Sequence, residues 1–467
     1  MPVDNYPRLM IAGTGGDCGK TLVSLSLLAF WRTKGLATAA FKKGPDYIDA
    51  AWLRWASGSP ARNLDTYMVD RRKVRQSFFL NSAGKDIALI EGNRGLHDGL
   101  NVDGTHSSAE LAKLLDTPVI LVVDAAKVTR TIAALVLGCQ ELDSEVKIAG
   151  VIFNRTAGER HRNLLRKSVE RYCGLPTLGF IPRLENENFL PGRHLGLVTP
   201  EEHPKIESLH SVLAQIAEKH LYAEQILEIA NSVSPPESPP EPIMRRSGAE
   251  KIRARICYFC DSAFTFYYQE NLEALQDAGA EIIPVSSLKS DALPKCDGLF
   301  IGGGFPETHL RELSANESLR NSVKSAAEAG LPIYAECGGL IYLCRSLKWG
   351  GEEFPLADVF PMKLKVEPRP QGHGYCEVKV TGENPYFPRG TVLKGHEFHY
   401  TKFIEGQEKF HTAFQVLRGT GCFDRRDGVI YKNVLAGYLH IHALGVPEWG
   451  ERFVDAAERF RNIHNIQ

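Results

Sequence analysis

Leu9-Met-Ile-Ala-Gly-Thr-Gly-Gly-Asp-Cys-Gly-Lys-Thr21 is the stretch from which the fold of this chain is read. Its apolar start predicts a buried strand, its glycines a turn, and Lys20-Thr21 the first residues of a helix. Such a turn aims backbone N–H groups at phosphate oxygens, and the helix N-terminus adds the positive end of its dipole. Thr14, Gly15, Gly16 and Gly19 would then line the phosphates, with Lys20 reaching the terminal ones and the Thr21 hydroxyl on a magnesium ion. The spacing is a variant of the usual P-loop. Five residues separate Gly13 from Gly19, and Thr14 stands where the first glycine usually does. With a strand before it and a helix after it, the stretch reads as a nucleotide site rather than a plain turn.

The 467 residues predict more than one domain, and 43% hydrophobic with 24% charged residues suits a globular protein with a large core. Lys+Arg of 55 against Asp+Glu of 56 gives no reason to expect a nucleic acid or an anionic membrane as partner. No apolar run reaches membrane-span length, and no signal-peptide pattern is present, so a cytoplasmic location is expected. The ten cysteines are scattered, as in a reducing compartment. Cys257 and Cys260 form a lone C-x-x-C at the end of a strand-like run, where residues three apart face opposite ways, so no zinc site is expected.

Along the chain, strand-like runs at Ala37–Phe41, Ile87–Ile90, Pro118–Asp124, Ile148–Phe153 and Leu178–Ile181 alternate with helical stretches. This predicts a mostly parallel sheet covered on both faces over residues 1–230. Residues 231–250 hold a proline-rich linker. The α/β pattern restarts over 251–467, with strands at Ile252–Phe259, Glu281–Val285, Gly298–Ile301 and Leu331–Ala335. Helices are expected at Phe266–Ala278 and Thr308–Ala329. Beyond Leu356 the reading turns β-rich, with runs at Tyr375–Val380, Phe414–Leu417 and Val434–His442, and an amphipathic helix closes the chain at Glu448–Ile463.

A P-loop needs acidic partners for its metal at neighbouring strand ends. Asp46, in Phe41-Lys-Lys-Gly-Pro-Asp-Tyr-Ile-Asp49, and Glu91, ending Ala88-Leu-Ile-Glu91, have that placement. Lys42 could meet a phosphate or an acidic substrate, and the Asn154 amide could read a base edge. Glu91-Gly-Asn-Arg-Gly-Leu-His-Asp-Gly99 is a polar, glycine-dense loop of the sort that lines sites.

In the second half, Pro332-Ile-Tyr-Ala-Glu-Cys-Gly-Gly-Leu340 puts Cys337 where a strand breaks into glycines before a helix-like run, the pattern of a nucleophile elbow. Phe300-Ile-Gly-Gly-Gly-Phe-Pro-Glu307 is a second glycine turn, suited to oxyanion donors. Gly437-Tyr-Leu-His-Ile-His442 offers a base. His440 and His442 would share one strand face, so spacing does not choose between them.

Taken together, these motifs resemble the cobyrinic acid a,c-diamide synthase family. The resemblance runs through Gly13–Thr21, Phe41–Asp49, Ala61-Arg-Asn-Leu-Asp65, Glu91–Gly99, Gly150–Arg155, Pro191–Leu197, Gly302–Glu307, Ala335–Leu340, Gly395-His-Glu-Phe-His-Tyr400 and Tyr438–His442. It implies an N-terminal P-loop domain of the dethiobiotin-synthetase type and a C-terminal, flavodoxin-like class I glutamine amidotransferase domain. It implies ATP and Mg2+ as cofactors, L-glutamine and an acidic tetrapyrrole as substrates, and is compatible with a homodimer. In such an enzyme ATP converts a carboxylate to an acyl phosphate, and ammonia from glutamine displaces the phosphate. On the resemblance, Cys337 attacks glutamine with His440 as base, and Gly303, Gly304 and Gly338 line the oxyanion site. Thr21, Asp46 and Glu91 hold the metal, Asn154 joins the nucleotide site, and Lys42, Tyr47 and Asp98 meet the substrate.

Two departures stand out. Many class I amidotransferases have Glu two residues after the catalytic His, where this chain has His442, so the orienting third group is unassigned. The family's Gly-Leu-Tyr-Asp-Gly is Gly95-Leu-His-Asp-Gly99 here, which bears on the choice among cobyrinate, hydrogenobyrinate, sirohydrochlorin, its nickel form and sirohaem. A P-loop ATPase switch with an inert second half is the competing class, and it gives no reason for Cys337, the glycine turn and Tyr438-Leu-His440 to occur together.

Overall fold

A computed structural model describes residues 5–184, 192–193, 196–236, 252–406 and 410–464. Part of Pro191–Leu197 and most of the proline-rich stretch lie outside the described residues. The chain divides into two compact units, Met1–Ile243 and Met244–Gln467.

The first unit is a seven-stranded parallel sheet with the order β3-β2-β4-β1-β5-β6-β7. The strands are β1 (Arg8–Gly13), β2 (Thr38–Lys43), β3 (Ala61–Leu64), β4 (Ile87–Glu91), β5 (Val119–Asp124), β6 (Ile148–Thr156) and β7 (Thr177–Pro182). Strands β1, β2 and β4 are buried along their whole length, which suits the apolar residues at their centres and also buries Arg8, Lys42 and Glu91 at their ends. The expected run Ile148–Phe153 extends to Thr156, and β3, whose sequence Ala-Arg-Asn-Leu is too polar for a strand signal, is a strand the sequence reading passed over. Helix α1 (Lys20–Thr33) begins at the predicted residue, and α2 (Tyr47–Ser57) follows β2 directly. Because all seven strands run one way, their C-terminal ends share one edge. Thr14, Lys42, Glu91 and Asn154 all lie at or just beyond those ends.

The second unit is a mixed sheet of ten strands. Ala280–Val285, Ala254–Phe259, Gly298–Ile301, Ile333–Glu336 and Val434–Gly437 lie side by side and parallel, in the doubly wound arrangement of a flavodoxin-like core. Arg426–Tyr431, Thr412–Arg418, Gly372–Val380, Val392–His399 and His440–Ile441 extend the sheet antiparallel. A smaller four-stranded sheet includes Cys344–Trp349 and Phe360–Val366.

Three sequence expectations are corrected here. The helix expected over Thr308–Ala329 is broken into Leu310–Ala315 and Glu317–Glu328, because the Asn316 side chain accepts the Leu319 N–H and caps a new helix. The helix expected from Phe266 starts at Gln269, since Phe266 makes a bridge to Gly303 instead. The run Val434–His442 is two strands rather than one. The Tyr438 and Leu439 N–H groups donate to the buried Asp427 carboxylate, which ends the first strand and lets His440–Ile441 pair with Val392–His399 instead. His440 and His442 therefore do not share a strand face.

Candidate active sites

In the first unit, Gly19 caps α1 with φ +104, a conformation open to glycine. A Cβ there would run into the Asn154 amide, whose Nδ2 donates to the Cys18 carbonyl at 3.0 Å. The end of β6 thus braces the loop, which is the place the structure gives Asn154. Lys20 folds over the loop and donates to the Gly15 carbonyl at 2.8 Å. Gly15 and Gly16 form the crest, where an added Cβ would meet nothing within 4 Å, and Thr14 N–H donates to Val122 O at 3.3 Å.

Beside the loop lies a buried charge cluster. Parallel register sets Lys42 of β2 opposite Glu91 of β4. Lys42 Nζ lies 2.9 Å from Glu91 Oε1 and 2.6 Å from Asp49 Oδ2. Burial works against the Lys42 charge, but Asp49, Glu91 and Asp46 outweigh it and hold the ammonium firmly protonated. The Thr21 hydroxyl donates to Glu91 Oε1 at 2.8 Å, while Glu91 Oε2 is buried with no hydrogen-bond partner among the described residues. Burial pushes the Glu91 carboxyl upward, with Lys42 opposing. Asp46 caps α2 by accepting the Asp49 N–H at 2.9 Å, and burial followed by the Asp49 charge pushes it up to about 7. Thr21, Lys42, Asp46 and Glu91 are thus brought together. Asp49 belongs with them and was missed, although an acid three residues into a helix capped by Asp46 turns back toward the cap.

Tyr47 is the buried first residue of α2. Asp98 is exposed and accepts the Gly95 N–H at 2.7 Å, which ties the loop after β4. Among the described residues no group of three or more His, Cys, Asp or Glu is placed to hold a metal ion.

In the second unit, Ile333–Glu336 ends at Cys337 with φ 49 and ψ −97, and the short helix Gly338–Leu343 begins at once. That backbone conformation costs a residue with a Cβ on the order of 1–3 kcal/mol and is the elbow expected from the sequence. Cys337 N–H donates to Gly437 O at 2.7 Å, and Ile341 N–H donates to Cys337 O at 3.0 Å, so the bend is held from both sides. Burial raises the Cys337 thiol well above its ordinary value, with the Glu307 charge adding and the Gly338 N–H opposing. The thiol is therefore neutral at physiological pH and needs a base to become a nucleophile.

The two glycine turns touch through their backbones. A Cβ on Gly338 would meet Gly304 N at 3.1 Å and the Gly303 carbonyl carbon at 3.4 Å. One on Gly303 would meet His440 Cε1 at 2.6 Å and Nε2 at 3.4 Å. Gly303, Gly304, Gly338 and His440 are thus neighbours, and Cys337 directly precedes Gly338, its thiol donating to Phe398 O at 3.6 Å.

Glu336, not singled out from the sequence, sends Oε2 to within 3.4 Å of His440 Nδ1. His442 is elsewhere. Its Nδ1 accepts the Leu444 N–H at 3.2 Å, its Nε2 lies 3.6 Å from Glu270, and its ring packs on Tyr268 with centroids 4.7 Å apart.

A nucleotide loop in one unit and a cysteine elbow with an imidazole nearby in the other are the parts of an enzyme that pairs a phosphate site with a thiol nucleophile. Comparison with known proteins agrees. Residues 9–198 match the CobQ/CobB/MinD/ParA nucleotide binding domain, and residues 255–447 match the CobB/CobQ-like glutamine amidotransferase domain. The chain is 41% identical over 446 residues to a cobyrinate a,c-diamide synthase of Magnetococcus marinus, covering 95% of each chain. It is 39% identical to one of Archaeoglobus fulgidus, covering 98% of each, and 37% identical to one of Caldanaerobacter subterraneus, covering 97% and 98%. The chain belongs to the cobyrinic acid a,c-diamide synthase family. It is a glutamine-hydrolysing ligase whose activity is ATP- and glutamine-dependent amidation. No helix among the described residues is long and apolar enough to cross a membrane.

Proposed function

We propose that this chain amidates the a- and c-side-chain carboxylates of cobyrinate in the cytoplasm, taking ammonia from L-glutamine and energy from ATP with Mg2+. The substrate reading rests on similarity along nearly the whole chain to proteins named cobyrinate a,c-diamide synthase. Residues 1–230 are proposed as the synthetase domain and 251–467 as the amidotransferase domain, joined by the proline-rich residues between. The same chemistry would serve hydrogenobyrinate, sirohydrochlorin, its nickel form or sirohaem.

In the amidotransferase half, His440 removes the Cys337 proton as sulfur attacks the glutamine amide carbon, with N–H groups of Gly303, Gly304 and Gly338 facing the developing oxyanion. His440 is favoured over His442 because it abuts Gly303, whereas both His442 nitrogens face local partners. Loss of ammonia leaves a thioester, which water hydrolyses to glutamate.

In the synthetase half, the 13–21 loop holds the ATP phosphates and Lys20 draws charge from the transferred group. Thr21, Glu91 and Asp46 suit magnesium, a fit supported by the buried, unpartnered Glu91 Oε2. Two carboxylates and a hydroxyl are a usual protein share for that ion, which would neutralise phosphate charge when bound. Lys42, Tyr47 and Asp98 are proposed to receive the substrate. Its carboxylate attacks the γ-phosphorus and expels ADP, and ammonia then attacks the acyl phosphate carbon, losing a proton as phosphate leaves, to give the amide.

The observation that carries the two-site reading is the strained Cys337 elbow set against the Gly303–Gly304 turn and His440, in a chain that also carries the Lys20–Thr21–Glu91 loop site. Cys337→Ala should abolish glutamine-dependent amidation while ammonium salts still support it. Glutamine-dependent turnover in that variant would overturn the reading.

A further inference from the structure

We infer that Glu336 is the group that orients His440 and completes the amidotransferase triad in this chain, taking the place of the acid usually found two residues after the histidine. The inference rests on the reading of Cys337 and His440 as nucleophile and base. His442 occupies that usual position and is held by Leu444, Tyr268 and Glu270. Glu336 instead precedes the nucleophile directly, so the residue that aligns the base and the residue that reacts are neighbours in the chain.

The geometry is specific. Glu336 is 1% exposed and ends the strand Ile333–Glu336, and His440 is 2% exposed at the edge of Val392–His399. One carboxylate oxygen, Oε1, accepts the Ile441 N–H at 3.1 Å and the Tyr334 hydroxyl at 3.2 Å. The Ile441 bond ties the acid to the very strand that carries His440. The other oxygen, Oε2, is thereby turned to His440 Nδ1 at 3.4 Å. The adjoining edge of the same ring, Cε1 and then Nε2, lies against Gly303, with Cε1 the nearer atom. His396 stacks on the ring with centroids 4.8 Å apart and an interplanar angle of 17°, which limits its tilt.

The chemistry follows. A carboxylate only accepts hydrogen bonds, so facing Glu336 puts the imidazole proton on Nδ1. That tautomer carries the basic lone pair on Nε2, the nitrogen that would take the thiol proton. When Nε2 takes it, the imidazolium carries charge in a buried site, and the Glu336 charge offsets it. Glu336 is thus a positioning residue that acts through His440 and does not touch glutamine.

Glu336→Gln in the full-length protein separates these roles. The amide oxygen can still serve Ile441 and Tyr334, but its NH2 would donate to Nδ1 and force the proton to Nε2, the tautomer that cannot accept from the thiol. Glutaminase kcat should fall on the order of 10²- to 10⁴-fold, as triads do when the acid becomes an amide. KM for glutamine should stay within about twofold, because a group acting only in the transition state does not alter ground-state binding. The pH profile of kcat should change shape, and Glu336→Asp should recover part of the rate. An unchanged kcat and pH profile in Glu336→Gln, alongside a dead Cys337→Ala, would overturn the inference and leave the nucleophile assignment standing. Collapse of kcat and KM together with loss of the unit's thermal transition would assign Glu336 a structural role and also overturn it. If Cys337→Ala keeps glutamine use, the underlying reading itself has failed.

Discussion

Gly303→Ala tests whether the contact between the two glycine turns and the imidazole sets the amidotransferase geometry. The new methyl would lie 2.6 Å from His440 Cε1 and 3.2 Å from Phe266 Cδ2. Reaching ordinary contact near 3.6 Å requires a shift of about 1 Å in the ring or in the turn, and a displacement of that size in a reacting group costs about 100-fold in rate. The ring cannot yield freely, because His396 stacks on one face and Glu336 holds Nδ1. Part of the strain will appear as lost stability of the second unit, about 1–3 kcal/mol for overpacking. The assay is glutamate release from glutamine, measured beside ammonia-dependent amidation in the same preparation. Glutaminase kcat/KM should fall on the order of 10²-fold while ammonia-dependent amidation holds. Wild-type glutaminase in a folded Gly303→Ala protein would refute the idea that this contact places His440.

Other outcomes follow from the same physical arguments. Lys42→Met leaves the buried Glu91 and the half-buried Asp49 without their cation, so it should destabilise the first unit by about 3 kcal/mol and abolish amidation while glutaminase survives; urea titration and the two activity assays check this. His399 and His396 are held neutral by burial, His399 down to about 4 and His396 well below its ordinary value. Their folded values lie below an unfolded value of about 6.5, so stability present above that pH is lost as pH falls toward 4, at about 1.4 kcal/mol per pH unit for each group. Denaturation midpoints of the second unit should therefore drop between about pH 7.5 and pH 5, less steeply in His399→Phe. Gly138 sits inside the helix Thr131–Leu142, and a Cβ there would meet nothing within 4 Å. Gly138→Ala should raise the stability of the first unit by about 0.5–1 kcal/mol, read from its thermal midpoint.

What the sequence made legible was set by how local each signal is. The P-loop, Lys42 at its strand end, and the cysteine elbow are each written in a few consecutive residues, and the structure places them where their spacing implies. Four strands of the parallel core of the second unit could be read from apolar runs for the same reason. Partners chosen by long-range packing could not. Asp427 ends a strand at Tyr438 from a different strand, so the apolar run to His442 looked continuous. Asn316 broke a helix whose composition favoured continuity. The strand Ala61–Leu64 carries too little apolar signal to be called alone, and it is defined by its pairing with Thr38–Lys43. Glu336 acquires its partner only in the fold, since His440 lies far along the chain. An acid ending an otherwise apolar strand was the signal that had drawn attention to Glu91, and it applied equally here.

In the proposed reaction the amide nitrogen of glutamine, driven by ATP hydrolysis, becomes amide nitrogen on a tetrapyrrole. The most direct measurement is mass spectrometry of cobyrinate, hydrogenobyrinate, sirohydrochlorin, its nickel form and sirohaem, each incubated with the protein, MgATP and glutamine labelled at the amide nitrogen. The account expects two successive carboxyl-to-amide conversions on cobyrinate, each carrying the label. Labelled diamide on another ring instead would keep the chemistry and replace the substrate. ATP hydrolysis with no amide on any ring would contradict the account.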